Sequence, residues 1–421
     1  MSVSISDAPW LKEKVLQKLL AVLSANGEEA RIAGGAVRNA LLGEAVTDID
    51  IATTCLPEET EKRAIEAGFK PVPTGKAHGT ITVVAHGKPF EVTTLRADVE
   101  NHGRHATVAF GRDWQVDAKR RDFTINALYA TADGTVLDLV GGVADLETRT
   151  LRFIGSAEDR IREDYLRILR FYRFFAWYGS GRPDAEGIKA SARLKSGLDQ
   201  LSAERIWAEL KKLLSAPDPS RALLWMRQSG VLTTVLPESE KWGIDAVPGL
   251  VAAERDLGWA VDPLVRLMAI IPPMKERVDS LSERLKLSKN EAKRLHEWAG
   301  FGEIPAETSE IALAKRMFAA GHQPGVDKLK LALAAARVRG VQNDLDLLAA
   351  GQYSQLLKYA ENWQAPQFPL HGRDLVALGA AADERLGKAL AILKDEWVSS
   401  SFTIDREALV ERARDLLALK S

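Results

Sequence analysis

The sequence predicts an α+β protein, with a compact mixed α/β head followed by a long all-helical extension. Two observations carry that reading. Between about residues 30 and 140 the chain is broken into short β-rich runs, ARIAGG, TDIDIATT, TITVVAHGKPFEVTTL and TVLDLVGG, punctuated by Gly, Pro and Asp and separated by helical stretches such as EETEKRAIEAG. Beyond Gly155 such runs stop, and nearly everything to Ser421 keeps helical periodicity, interrupted at SGRPDAEG, SAPDPS, LPESEKWG, EIPAETS and APQFPLHG.

Taken in order, PWLKEKVLQKLLAVLSA (9–25) places apolar residues at helical spacing and ends near the stop signal Asn26-Gly27. ITVVA and FEVTTL, separated by His86-Gly87-Lys88-Pro89, read as a β-hairpin. No fixed-period repeat or low-complexity segment is present. The helical part divides near 216 and 300, giving expected segments 1–150, 151–215, 216–300 and 301–421.

Composition bounds the function. The 421 residues, 46% hydrophobic and 27% charged, suit several globular units and exclude a disulfide-stapled miniprotein or wholesale disorder. The single Cys55 allows neither an internal disulfide nor a cysteine-based zinc site. No apolar run reaches the roughly 20 residues of a membrane helix, and MSVSISDAPWLKEK has neither a basic n-region nor an apolar h-region. A soluble cytoplasmic protein is therefore expected. The net charge of −1 hides an asymmetry, because Arg149–Arg227 holds 16 Lys+Arg against 10 Asp+Glu. That +6 block fits a polyanion footprint as well as a solvated helical face.

The sharpest local feature is Gly34-Gly35-Ala36-Val37-Arg38, followed by Asp48-Ile49-Asp50-Ile51. Two glycines after a strand let backbone amides approach a phosphate, a helix starting there points its positive end at the anion, and Arg38 adds a charged fork. In an extended TDIDIA, Asp48 and Asp50 project to one face. Two carboxylates together repel unless a cation lies between them, and hard oxygen ligands suit Mg²⁺. Glu91, on a neighbouring strand, would complete an acidic cluster for two metal ions. Either half alone is ordinary turn or strand chemistry; together they favour a nucleotide site.

Arg120-Arg121-Asp122-Phe123-Thr124-Ile125-Asn126 sets two cations and an anion before an expected helix start, which fits phosphate and ribose contacts as well as an Asp N-cap. In EDYLRILRFYR, the residues Asp164, Arg167 and Arg170 step along one polar stripe of a helix whose other face is apolar. Such groups suit the edge of a base, and they suit equally an ion-pair ladder. Trp207, Trp225, Trp259, Trp298 and Trp397 read as packing residues, and Cys55 as a small buried hydrophobe.

With these segments quoted, the chain resembles the tRNA nucleotidyltransferase/poly(A) polymerase family, class II of the polymerase-β-like nucleotidyltransferases. The likeness runs in order through GGAVRNALLG…TDIDIAT, PTGKAHGTITV…FEVTTLR, RRDFTINALY, DLVGGVADLETRTLRFIG, EDYLRILRFYRF and SAERIWAELKKLL, over roughly residues 25–240. It implies a polymerase-β-like nucleotidyltransferase head (mixed sheet with helices, 1–150) and an all-helical neck (151–215), body (216–300) and tail (301–421). By the same resemblance, Gly34, Gly35 and Arg38 contact nucleotide phosphates, and Asp48 and Asp50 hold Mg²⁺ with Glu91 assisting. Arg121, Asp122 and Asn126 address phosphate and ribose. Asp164 and Arg167 pair with the base edge of CTP and then ATP, Glu163 orients Arg167, Arg170 and Arg173 lie along the nucleotide or primer path, and Ala203–Ile206 forms a structural turn.

The segment Ala97–Lys119 stands at the place of the flexible loop of full CCA-adding enzymes, and no RRFRL-like stretch of the poly(A) type precedes the Glu91 strand. Asn39 stands where the family more often has Asp. The expected partners are tRNA, CTP and ATP, with neither DNA nor a membrane. The rival readings are a poly(A) polymerase, an enzyme adding only the terminal A, a small-molecule nucleotidyltransferase, and a non-catalytic RNA-binding protein on the same fold.

Overall fold

A computed structural model describes residues 3–100, 107–240, 242–381 and 383–417. The chain divides into two compact units at Pro237/Glu238. In the first, α1 (Lys14–Leu23) buries Leu16, Leu19, Leu20 and Leu23, a helical face set by their spacing. The head then runs β1 (Ala30–Ala33), α2 (Gly35–Leu42), β2 (Asp50–Thr53), α3 (Pro57–Glu66), β3 (Lys70–Gly75), β4 (Thr80–Ala85), β5 (Lys88–Thr94), β6 (Arg96–Glu100), β7 (Thr107–Phe110), α4 (Trp114–Lys119), β8 (Leu128–Ala130), β9 (Val136–Asp138) and α5 (Gly142–Glu147). Seven strands form one sheet in the order β3-β4-β5-β2-β1-β8-β9, while β6 and β7 pair separately. Strands β2 and β5 are parallel and the other neighbours antiparallel, which makes the sheet mixed.

Four local expectations change. The hairpin turn is two residues, with Ala85 paired to Lys88; His86 and Gly87 both take positive φ (49° and 81°), the twist-matching turn for such a connection. RRDFTINALY does not open an α-helix, because only a 3₁₀ turn, Thr124–Asn126, precedes strand β8. The segment Ala97–Lys119 holds the β6–β7 ladder and α4, and its residues 101–106 lie outside the described ones. Asp48 precedes β2 rather than lying within it.

The strands end as expected, and α6 (Ala157–Glu163), α7 (Leu166–Tyr178), α8 (Ala185–Leu194), α9 (Ala203–Leu214), α10 (Ser220–Gln228) and α11 (Val231–Val235) complete this unit. The unit boundary falls inside the 216–300 segment because α10 packs on α7, where the buried Tyr172 hydroxyl donates to Ser229 Oγ at 2.8 Å. Burial first, only partly offset by Ser229, pushes that phenol's pKa up to about 12.

The second unit, through its described residues, is all helix: α12 (Val247–Leu257), α13 (Pro263–Met268), α14 (Lys275–Arg284), α15 (Lys289–Phe301), α16 (Glu310–Ala320), α17 (His322–Arg339), α18 (Asp344–Asn362), α19 (Gly372–Ala377), α20 (Glu384–Ser399) and α21 (Arg406–Leu417). One core gathers Leu313, Met317, Leu329 and Leu357, and another Leu375, Leu393, Trp397 and Leu409. Two ion pairs with a buried member cross-link its helices, Arg266–Glu254 at 2.6 Å and Arg294–Asp327 at 2.7 Å. Trp207, Trp298 and Trp397 are buried, as their spacing suggested. No described helix is long and apolar enough to cross a membrane.

Candidate active site

The β2–β5 register sets Asp50 directly opposite Glu91, so two carboxylates from distant sequence positions share one sheet neighbourhood. Asp48 lies two residues earlier, where its Oδ2 accepts from Thr47 Oγ1 at 3.1 Å. Desolvation first, then the charges of Glu91 and Asp48, raise the Asp50 pKa, with Arg121 opposing them. Carboxylates that resist ionising together are the donor set a divalent cation relieves. Among the described residues no group of three or more His, Cys, Asp or Glu side chains is placed so that it could hold a metal ion by itself. An open acidic site of this kind fits a hard cation that keeps water and substrate phosphate in its shell.

Beside it, Gly34 adopts φ 63°, ψ −115°, a backbone state reserved in practice for glycine. A Cβ there would lie 3.3 Å from Asn126 O and 3.4 Å from Arg121 Nη1, so the tight approach of β1, α2 and the Arg121 segment depends on its absence. Gly35 opens α2. Arg38 is buried and already engaged: Nη1 donates to Asn126 Oδ1 at 2.5 Å, Nη2 to Tyr178 Oη at 2.8 Å and to Asn39 Oδ1 at 2.9 Å, and the guanidinium lies 3.9 Å from the Tyr178 ring centroid. It therefore braces the cradle as well as lining it.

Arg121 donates to Asp117 Oδ2 through Nη2 at 3.2 Å, to Tyr129 Oη through Nε at 3.1 Å and to Asn126 O through Nη1 at 3.3 Å. Asp122 is buried. Its Oδ1 accepts from Phe123 N at 2.9 Å and Asn126 Nδ2 at 3.1 Å, while Oδ2 accepts from Arg170 Nε at 2.8 Å and Nη2 at 2.5 Å. A ribose hydroxyl would reach Asp122 by replacing one of these donors. The chain Arg38–Asn126–Asp122–Arg170 thus joins the glycine cradle to α7 through charge-assisted bonds.

The EDYLRILRFYR stretch spans the end of α6 and most of α7 rather than one helix. Asp164 breaks them with extended backbone (φ −157°, ψ 109°), because its Oδ1 caps Leu166 N at 3.1 Å and its Oδ2 takes Arg205 Nη2 at 2.6 Å. The expected single stripe is accordingly a helix break plus one turn of α7. Arg167 donates to Glu163 Oε2 and, at 2.9 Å, to Arg160 O, so the Glu163–Arg167 contact is present.

One cavity of about 720 Å³ gathers Gly34, Gly35, Arg38, Asp48, Asp50 and Glu91. It is also lined by Arg121, Asp122 and Asn126, and from the helices by Asp164, Arg167, Arg170 and Arg173. Glu163 stands behind Arg167 and is not part of that lining. Sequence reasoning missed three participants. Glu209, 6% exposed, accepts from Arg173 Nε at 2.5 Å and lies 3.9 Å from Arg170 Nη1. Phe174 spaces the cations, with Arg173 at 4.1 Å and Arg170 at 5.3 Å from its ring centroid. Lys212, on α9, lines the same cavity. A Glu–Leu–Lys–Lys helix gives no local hint of any of this; only the packing of α9 on α7 reveals it.

Carboxylates on a mixed sheet, a glycine-opened helix and an arginine-lined cavity define a nucleotidyltransferase with a polymerase-type head. Residues 30–152 match the family described as Poly A polymerase head domain, and residues 184–242 the one described as probable RNA and SrmB-binding site of polymerase A. The chain is 35% identical over 405 residues to the mitochondrial CCA tRNA nucleotidyltransferase 1 of Mus musculus, a match covering 94% of this chain and 88% of that one. It is 41% identical over 228 residues to the CCA-adding enzyme of Geobacillus thermodenitrificans, covering 52% of this chain and 54% of that one. The crystal structure of the Bacillus stearothermophilus CCA-adding enzyme in complex with CTP matches at TM-score 0.67 and 26% identity, over 95% of this chain and 97% of that one. The chain belongs to the CCA tRNA nucleotidyltransferase family.

Proposed function

We propose that this enzyme adds C, C and A, without a nucleic-acid template, to the 3′ end of tRNA from CTP and ATP, and that Mg²⁺ is its metal. The observation carrying the reading is the single cavity that unites the Asp48/Asp50/Glu91 carboxylates, the Gly34–Gly35 cradle and the Asp164/Arg167 pair. Each transfer joins the RNA 3′ oxygen to the α-phosphorus of the nucleotide and releases pyrophosphate. Asp48 and Asp50, with Glu91 beside them, would hold the metal, which when bound would supply acidification of the attacking hydroxyl and neutralisation of phosphate charge. The Gly34–Gly35 backbone and Arg121 fix the triphosphate. Asp164 accepts and Arg167 donates at the base edge, so the protein reads the incoming base itself. Catalysis by these residues is positioning and electrostatics.

Within this reading, residues 1–150 are the catalytic head, 151–215 the base-reading neck, and 216–300 and 301–421 the RNA-holding body and tail. The lone, buried Cys55, whose Sγ–H donates to Leu23 O at 3.3 Å, suits a reducing compartment such as the cytoplasm.

The test is product length on a tRNA transcript ending at the discriminator base, with CTP alone, ATP alone and both. Two additions with CTP and a stop at three with both are expected. A ladder of A residues would mean a poly(A) polymerase, and a single A with no C addition an A-adding enzyme.

A further inference from the structure

We propose that Trp177 and Lys212 form a seat for the single-stranded 3′ end of the RNA, continuous with the nucleotide cavity. This rests on the reading of the substrate as RNA and adds to it a place for the strand. Arg173 and Trp177 are four residues apart on α7 and share a face, about 6 Å along the axis. Arg173 lines the cavity, so the stripe that begins at Arg167 continues past the nucleotide site to the last turn of the helix.

At that end Trp177 is 39% exposed, unlike the buried Phe171, Phe174 and Phe175 of the same helix. Its ring is nevertheless held: the indole Nε1–H donates to Lys212 O at 2.9 Å, in the last turn of α9. The one polar atom of the side chain is thereby satisfied, and what remains to be covered is aromatic surface. A pinned, half-open indole is pre-organised for stacking, because little rotamer freedom is left to lose.

Lys212 provides the second half. Its side chain lines the cavity, and among the described residues its ammonium makes no ion pair or hydrogen bond. Lys211 precedes it at the same helix end. The other cations of the cavity differ in this respect, with Arg38, Arg96, Arg120, Arg121, Arg167, Arg170 and Arg173 each held by protein acceptors. A cation left for an outside anion, beside a fixed aromatic face, is the arrangement that takes single-stranded nucleic acid, phosphate on the lysine and base on the ring. A protein partner would gain from that charge only by bringing an acidic residue to it. The RNA strand is the occupant the charge and the continuity with the cavity favour.

The experiment uses the full chain and a tRNA ending in CC whose last C is replaced by 2-aminopurine, which is quenched by stacking. Trp177→Ala is expected to raise the KM for tRNA roughly tenfold, to leave the KM for ATP on saturating RNA unchanged, and to abolish the quenching. Trp177→Phe, which keeps an aromatic face, is expected to restore most of both. Lys212→Ala is expected to weaken binding similarly and to lower the slope of log K against log salt by roughly one ion. Trp177→Ala with wild-type KM for tRNA and wild-type quenching overturns the proposal, as does a Lys212→Ala variant with an unchanged salt slope. If Trp177→Ala does not fold, Trp177→Phe and Lys212→Ala decide it by quenching and salt slope. Failure of the wild-type protein to extend any RNA would instead overturn the functional reading beneath it.

Discussion

Replacing Glu209 by alanine tests whether the packing of α9 on α7 depends on a buried charge that nothing in the local sequence announces. Glu209 holds Arg173 at 2.5 Å, and the two side chains are 7% and 13% exposed. Removing one member of a fully buried pair costs about 3–5 kcal/mol, chiefly from the charge left behind. Arg173 also faces a cavity that water enters, and Arg170 keeps Asp122 at 2.5 Å when its longer 3.9 Å contact with Glu209 is lost. Because the pair is not fully buried, a value at or just below the foot of that range applies, about 2–3 kcal/mol. For a unit of this size each kcal/mol moves the midpoint by about 2–4 °C, so its thermal transition falls by about 4–12 °C. Glu209→Gln keeps an acceptor and is expected to lose about half as much. The measurement is urea unfolding of the full chain with the two units' transitions fitted separately, alongside the KM for CTP, which rises as Arg173 loses its anchor. A loss below about 1 kcal/mol with an unchanged KM would refute the reasoning.

Other consequences are equally direct. Asp48→Ala or Asp50→Ala should remove nucleotide addition beyond the roughly 10²–10³-fold cost of deleting one electrostatic stabiliser, while gel-shift affinity for tRNA survives; normal incorporation at saturating Mg²⁺ would contradict the metal assignment. The double variant Asp164→Ala/Arg167→Ala should lose CTP/ATP discrimination before it loses turnover, measured as the ratio of kcat/KM values; an unchanged ratio would return both residues to ion pairing. Gly34→Ala forces a side chain into φ 63° against Asn126 O, and should cost about 1–3 kcal/mol in unfolding experiments together with nucleotide affinity. Burial pushes the Asp122 carboxyl up, but Arg170 and Asn126 outweigh it and hold its pKa below the usual range. Stability from this group is thus fully present above about pH 4 and is lost as pH falls through the depressed folded value; Asp122→Asn should flatten that acid limb, which a flat wild-type profile would disprove.

The parts of the fold that were legible in the sequence are those written in local period and punctuation. Leu16, Leu19, Leu20 and Leu23 announce α1, and the glycines and aspartates around 34–50 announce a site because phosphate and metal chemistry demand those residue types close together. The Asp164 break was not legible. Its neighbours keep helical spacing on both sides, and only the cap to Leu166 N and the partner Arg205, forty-one residues away, hold it extended. The prolines of β3 masked an edge strand, where a missing amide is tolerated. The partners of Asp122 and Glu209 come from distant elements, and no window of sequence contains both ends of such a bond.

The parallel pairing of β2 with β5 has a consequence for how the protein is made. Strands that run the same way cannot meet through a tight turn, so α3, β3 and β4 lie between Asp50 and the Glu91 that pairs beside it. The hairpin is a local event of microseconds, whereas closing a loop of about forty residues is an entropic toll met later. During synthesis, a chain that has emerged only as far as β4 carries Asp48 and Asp50 without their neighbour. The acidic cluster comes into being only when β2 and β5 pair, so a form of the head without that pairing lacks Glu91 beside Asp50. A one-residue slip of β5 would turn Glu91 to the opposite face. Assembly of the acidic cluster is thus set by strand order and register rather than by any single residue of the site.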